Sequence, residues 1–212
     1  MRVGLTFDCE HPDGTPNVLG VHSILHRLHD AGARATFFIQ GRWGRAYPDE
    51  VRAISEGGHL LGNHSFYHTP LPMLTSRGRV LDLQHADGTV LAITGKRTRP
   101  WFRPPFGKTV PLPEGWKNVL WDVSYDDWKQ PDRAKVVDNV VPNLRDGSIV
   151  LFHNWPAVTE PALDIILERL PDVSWVGIDH LPCPGNCYIC GEDIPCALPR
   201  FHDGDCTAVA DE

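Results

Sequence analysis

The stretch Val3-Gly4-Leu5-Thr6-Phe7-Asp8-Cys9-Glu10 opens as an apolar run and closes on two carboxylates. Val3 to Phe7 reads as a short core strand. Alternate strand residues face the same side, so Asp8 and Glu10 can point into one site while Cys9 points away. Outward from this strand the pattern alternates. Val21, Ile24, Leu25 and Leu28 recur at helical spacing before Gly32, and Thr36–Ile39 reads as a second strand. Pro48-Asp49-Glu50 opens a helix through Val51 and Ile54 that Gly57-Gly58 ends, and Leu60-Leu61 is a third strand. Val80, Leu83 and Val90 mark another helix, Trp101-Phe102 another strand, and Val119–Val123 a further strand. Val136 to Leu144 follows helical spacing with Pro142 expected to kink or end it. Ile149–Phe152 is a fully apolar strand, Leu163 to Leu170 the last amphipathic helix and Trp175–Ile178 the last strand. About seven strand–helix units argue for an α/β fold with a mainly parallel sheet. Such sheets gather their active sites at the carboxyl ends of the strands.

The chain has 212 residues, 42% of them hydrophobic, enough for one domain with an ordinary core. Composition changes near Leu181, which divides a body, 1–181, from a Cys-rich tail, 182–212. A formal net charge of −7 argues against nucleic acid or anionic membranes as partners. No run approaches the roughly 18 apolar residues of a membrane span, and no basic-then-apolar leader is visible. With Met1 retained, the expected location is cytoplasmic. The oligomeric state is left open.

Four more islands fall near expected strand ends: His64-Ser65-Phe66-Tyr67-His68, Arg103-Pro104-Pro105-Phe106-Gly107, Asp127-Trp128 and Leu151-Phe152-His153. Two histidines four apart would share a face on one helical turn and chelate a metal. Ser65 stands where a zincin glutamate would be, so the base must come from elsewhere, and Asp8 is the natural candidate. Two prolines hold the backbone before Phe106 extended and leave its N–H as a donor for an oxyanion. Arg103 can pair with Asp8. His153 can protonate a leaving amine, with Asp127 holding its tautomer and Trp128 shielding the site. Trp43, Trp128 and Trp155 are candidates for the pocket mouth. Taken singly, each island has a plain alternative: an acidic turn, surface histidines, a rigid loop, a packed tryptophan.

Together, in this order, the five islands resemble the polysaccharide deacetylase (NodB homology, carbohydrate esterase 4) family over roughly residues 1–180. The resemblance implies a distorted (β/α) barrel and a divalent metal, most often zinc, held by an Asp-His-His set. On that basis His64 and His68 are metal ligands, Asp8 the catalytic base, Arg103 its orienting partner and Phe106 an oxyanion donor. Asp127-Trp128 matches the end of D-x-x-D-W, and His153 matches the general acid. Three positions depart from the pattern. Cys9 replaces the usual second aspartate, so Glu10 is the expected third ligand, with the Cys9 thiolate as second choice. Ser124 replaces the first aspartate of D-x-x-D-W, and Asn154 follows His153. The implied activity is metal-dependent removal of an N-acetyl group from an amino sugar or sugar-containing intermediate. The alternatives are another amide or imide hydrolase of the superfamily and a non-catalytic carbohydrate-binding relative. In the tail, Cys183, Cys187, Cys190 and Cys196 are candidates for a structural zinc site, with disulfides or free thiols as the other readings.

Overall fold

Strand β1 (Arg2–Cys9) is buried from Val3 onward on both faces, which is why it reads as an apolar run rather than as an alternation. A computed structural model describes residues 1–10 and 18–181, so the tail cysteines proposed as a zinc site lie outside the described residues. Thr6–Cys9 of β1 pair with β2 (Thr36–Ile39), Gly4–Asp8 with β6 (Ile149–His153), and Arg2–Gly4 with β7 (Ser174–Val176). From β2 the sheet continues through β3 (Leu60–Asn63), β4 (Trp101–Phe102) and β5 (Lys117–Asn118). Each of these pairings is parallel, and the order is β5-β4-β3-β2-β1-β6 with β7 beside β1. Beyond β5 the chain curves round to the opposite edge, where Val123 bridges Val150 of β6. The two edges thus approach each other, and the sheet is a curled, distorted (β/α) barrel.

The strand expected over Val119–Val123 does not form there; β5 lies just before it. Ladder pairing covers Lys117–Asn118 and returns only at Val123. Between them the Val119 and Leu120 carbonyls accept hydrogen bonds from the Arg103 guanidinium. The helices are α1 (Val18–Asp30), α2 (Gly41–Ala46), α3 (Pro48–Glu56), α4 (Ser76–Thr94), α5 (Arg133–Val140) and α6 (Thr159–Arg169). Pro48 and two acidic residues open α3, as the free N–H groups and positive end of a helix favour. Thr75 caps α4 by accepting from the Gly78 N–H, and left-handed Gly95 ends it. Helix α5 stops at Val140, and Pro142 sits in the tighter turn that follows. Helix α2 was not anticipated from the sequence. Its Trp43 is fully buried in the core beside Tyr47, which overturns the expectation that it borders the pocket mouth. Phe7 stacks on Phe37 and Phe152, with centroids 4.9 and 6.0 Å away, so one aromatic layer joins three adjacent strands. Among the described residues no helix is long and apolar enough to cross a membrane.

His59, between α3 and β3, is buried against Phe37 and accepts the Ala35 N–H at Nδ1, 3.2 Å away. Burial, helped by Arg34, pushes its imidazole down to about 4. Unfolded, the ring would titrate near 6.5, so between these values the unfolded chain binds the extra proton. Stability is therefore complete above pH 6.5 and falls as the pH drops towards 4, by about 3 kcal/mol at most. Urea unfolding across that window should show the slope, and His59→Gln should flatten it. An unchanged slope in the variant would refute this assignment.

Candidate active site

All strands point the same way, so their carboxyl ends meet at one rim. β1 delivers Asp8 and Glu10, β3 leads into His64, β4 leads into Arg103 and β6 ends at His153. The His64–His68 segment is a compact loop, not the helical turn its spacing suggested. Ser65 and His68 are left-handed, at φ 62° and 60°. Such backbone is costly for these residues and persists only when neighbours hold it. Here Asn63 Oδ1 accepts the Ser65 N–H and Ser65 Oγ accepts the His68 N–H, each at 2.8 Å. The buried carboxylate of Asp82, on α4, accepts the Phe66 and Tyr67 N–H groups at 2.9 and 3.3 Å. Phe66 lies so close over Gly41 that a Cβ there would collide with its ring.

The loop turns both imidazoles towards Glu10. His64 Nδ1 lies 2.9 Å from the Arg103 carbonyl, to which it can only donate, so Nε2 is its free face. Glu10 Oε2 lies 3.4 Å from His64 Nε2 and 2.6 Å from His68 Nε2. One ligand atom from each of the three lies within 4.8 Å of the others. Oε2 is buried, and beyond these two imidazole contacts it has no hydrogen-bond partner. An orphaned carboxylate oxygen facing two imidazole nitrogens fits a zinc-type divalent cation. Burial opposes charge on Glu10, but His64 and His68 outweigh it and hold its carboxyl far below the usual range. Cys9 faces the other way, into the core, and burial followed by the charges of Asp8 and Glu10 pushes its thiol well up. That placement turns Cys9, the alternative ligand, away from the two imidazoles.

Asp8 stands beside this triad. Its Oδ1 accepts from Arg103 Nη1 at 2.9 Å, and its Oδ2 lies 3.6 Å from His64 Nε2. Arg103 is fully buried, and three more of its N–H groups go to Thr6 Oγ1 at 2.8 Å and to the Val119 and Leu120 carbonyls at 3.2 Å. Its guanidinium also lies over Phe38, 4.2 Å from the ring centre. Across the cleft, Asp127 Oδ1 is 2.7 Å from His153 Nδ1, while Oδ2 accepts the His153 N–H and the Thr159 hydroxyl, both at 2.8 Å. The carboxylate fixes Nδ1 as the donor and leaves Nε2 facing the cleft, 3.9 Å from Glu10 Oε1. Burial works against charge on His153, but Asp127 first, then Asp8 and Glu10, push its imidazole up to about 9. In metal-free protein, NMR should find His153 protonated until the pH rises through about 9. Asp127→Asn should bring that midpoint back towards 6.5. A midpoint the variant does not move would show that Asp127 does not govern this ring.

Phe106 is left-handed, at φ 57°, and touches His68 edge-on at 4.6 Å. Gly107 and Lys108 donate to the Pro104 and Pro105 carbonyls, so the Phe106 N–H takes no part in those turn bonds. Asp8, Glu10, His68, Phe106, Trp128, His153 and Trp155 line one cleft of about 610 Å³. Trp128 is half-exposed at its rim, and Trp155 Nε1 donates to Glu10 Oε1 at 3.4 Å. Ser124 lines the same cleft. Asn154 does not engage the imidazole: its N–H donates to the Asp8 carbonyl and its Oδ1 accepts the Glu10 N–H, tying β6 to the end of β1. Sequence reading missed Thr6, Asn63, Asp82 and Thr159 as supports. Asp82 carried a signal, because it adjoins Leu83 on the buried side of α4, where a carboxylate requires donors.

A family model described as polysaccharide deacetylase matches residues 1–117. Peptidoglycan-N-acetylmuramic acid deacetylase PdaA of Bacillus subtilis is 33% identical, over 78% of this chain and 65% of that protein. Chitooligosaccharide deacetylase of Azorhizobium caulinodans is 31% identical, over 75% of this chain and 76% of its own. The solved structure of peptidoglycan deacetylase PdaC from Bacillus subtilis is similar at a TM-score of 0.76 and 29% identity, covering 83% of this chain and 87% of that one. The chain spans 65% or less of the length of the first curated relatives it matches.

Proposed function

Because this chain belongs to the polysaccharide deacetylase family, we propose that it is a metal-dependent hydrolase that removes the acetyl group from an N-acetylated amino sugar and releases acetate. The observation that carries this reading is the orphaned Glu10 Oε2 facing two imidazoles, with an arginine-paired carboxylate and a carboxylate-paired histidine on either side. Glu10, His64 and His68 would hold the cation. When bound, it supplies Lewis-acid polarisation of the acetyl carbonyl and the attacking water.

The chain's own residues do the rest. Asp8, oriented by Arg103, accepts a proton from water as its oxygen bonds to the acetyl carbon. The Phe106 N–H faces the developing oxyanion. As the carbon–nitrogen bond breaks, His153 Nε2 hands its proton to the departing nitrogen, and Asp127 stabilises the imidazolium until then. Trp128 and Trp155 shield this transfer and offer faces on which a sugar ring can stack.

The test is to strip the protein with a chelator, restore Zn²⁺ and measure acetate from N-acetylated chito-oligosaccharides. Acetate that appears only with metal supports the proposal. If saturating metal binds and no acetate appears from any N-acetylated glycan, the non-catalytic reading replaces it.

A further inference from the structure

Glu10 is the first residue past the end of β1, and its N–H goes to a side chain, Asn154 Oδ1 at 3.4 Å, where a strand residue would use a neighbouring carbonyl. Its own side chain is long, so aiming the carboxylate costs rotamer freedom unless something holds it. The two carboxylate oxygens have different neighbours. Oε2 faces both imidazoles. Oε1 accepts the Trp155 indole N–H at 3.4 Å and lies 3.9 Å from His153 Nε2. Trp155 stands beside the acid as well, its ring centre 6.0 Å from that of His153.

An indole N–H donates and cannot accept, so Trp155 satisfies Oε1 without drawing on the His153 proton. Without it, Oε1 would be free to close the 3.9 Å gap and take the Nε2 proton in a charge-assisted hydrogen bond. That bond would turn the carboxylate away from His64 and His68 and withhold the proton from substrate. Resting on the hydrolase reading, we propose that Trp155 is a positioning residue: its N–H holds Glu10 Oε1, which keeps Oε2 aimed at the cation and leaves the His153 proton for the departing nitrogen. Ligating carboxylates are commonly steadied by such outer partners. Here the partner lies two residues beyond the acid, so one stretch of chain after β6 sets acid and ligand together.

Trp155→Phe keeps an aromatic ring and removes the N–H. Trp128→Phe makes the same change at the rim, where Lys129 Nζ lies 3.9 Å from the indole centre. Calorimetric zinc affinity should fall about tenfold in the first, the lower end of what an outer partner is worth, and stay at the parent value in the second. With saturating zinc and N-acetylated chito-oligosaccharides, Trp155→Phe should lower kcat and leave KM near that of the parent, whereas loss of a stacking face alone would raise KM. NMR reads the contact without relying on that variant: Glu10→Gln should shift the Trp155 indole N–H resonance and leave that of Trp128 in place. Unchanged zinc affinity in Trp155→Phe, an equal loss in Trp128→Phe, a raised KM without a lowered kcat, or an indole resonance indifferent to Glu10→Gln would overturn the proposal. Failure of the hydrolase reading looks different: the parent binds zinc yet releases no acetate, and zinc affinity and the indole resonance then decide the positioning role by themselves. A parent that binds no zinc would overturn both.

Discussion

Asp8→Asn is expected to lower turnover by about 10²–10⁴-fold while metal content per chain stays unchanged. The substitution keeps the shape of the side chain and removes its basicity. Its oxygen can still accept from Arg103 Nη1, now 2.9 Å from Asp8 Oδ1, so the guanidinium keeps a hydrogen bond but loses its counter-charge. Removing one partner of a buried pair outright costs roughly 3–5 kcal/mol, and the amide should cost less. Circular dichroism would therefore report a folded protein with a lowered Tm. Metal content separates base from ligand. If Asp8 is the base, Glu10, His64 and His68 retain the ion and only turnover falls. If the variant loses its metal, Asp8 is a ligand; if it keeps near-full turnover, the proton goes elsewhere.

The second large effect is on metal affinity. Glu10→Gln should weaken zinc binding by more than the 10–100-fold that loss of a partner outside the ligand shell typically costs. It replaces a charged oxygen, 2.6 Å from His68 Nε2 and 3.4 Å from His64 Nε2, by a neutral amide. Zinc raises the Tm of any protein whose folded state alone binds it, so the zinc-induced shift seen in the parent protein should shrink or vanish in the variant. Calorimetry would give the affinity directly. Cys9→Ser is the control. It changes a core side chain on the opposite face of β1, so it should lower stability and leave zinc affinity within a few-fold of the parent. The reverse pattern, with zinc binding sensitive to Cys9 and not to Glu10, would reverse the assignment of the third ligand.

Much of the architecture was readable along the chain because apolar periodicity reflects local geometry. The run Val3–Phe7 is a strand buried on both faces, and Pro142 does stop α5. Elements with weak local preference were not. α2 is six residues containing two glycines, and its place depends on burying Trp43 and on leaving room for Phe66. The strand expected over Val119–Val123 gives way to β5 just before it, and Arg103, far away in sequence, takes the Val119 and Leu120 carbonyls.

The candidate site divides in the same way. Strand alternation alone separates Asp8 and Glu10 from Cys9, because a two-residue period needs no partner to define it. The order and residue types of the five islands required nothing beyond the chain. The backbone that presents His64 and His68 needed the fold. Ligand spacing is equally compatible with a helical turn and a loop, and the choice falls to Asp82 and Asn63, whose oxygens meet N–H groups that a helix would have used internally. Clustering of Glu10, both imidazoles and the two supporting ion pairs likewise arises only where parallel strands end together. Side-chain type is written in one dimension; the direction in which each lone pair points is set by contacts between segments distant in sequence.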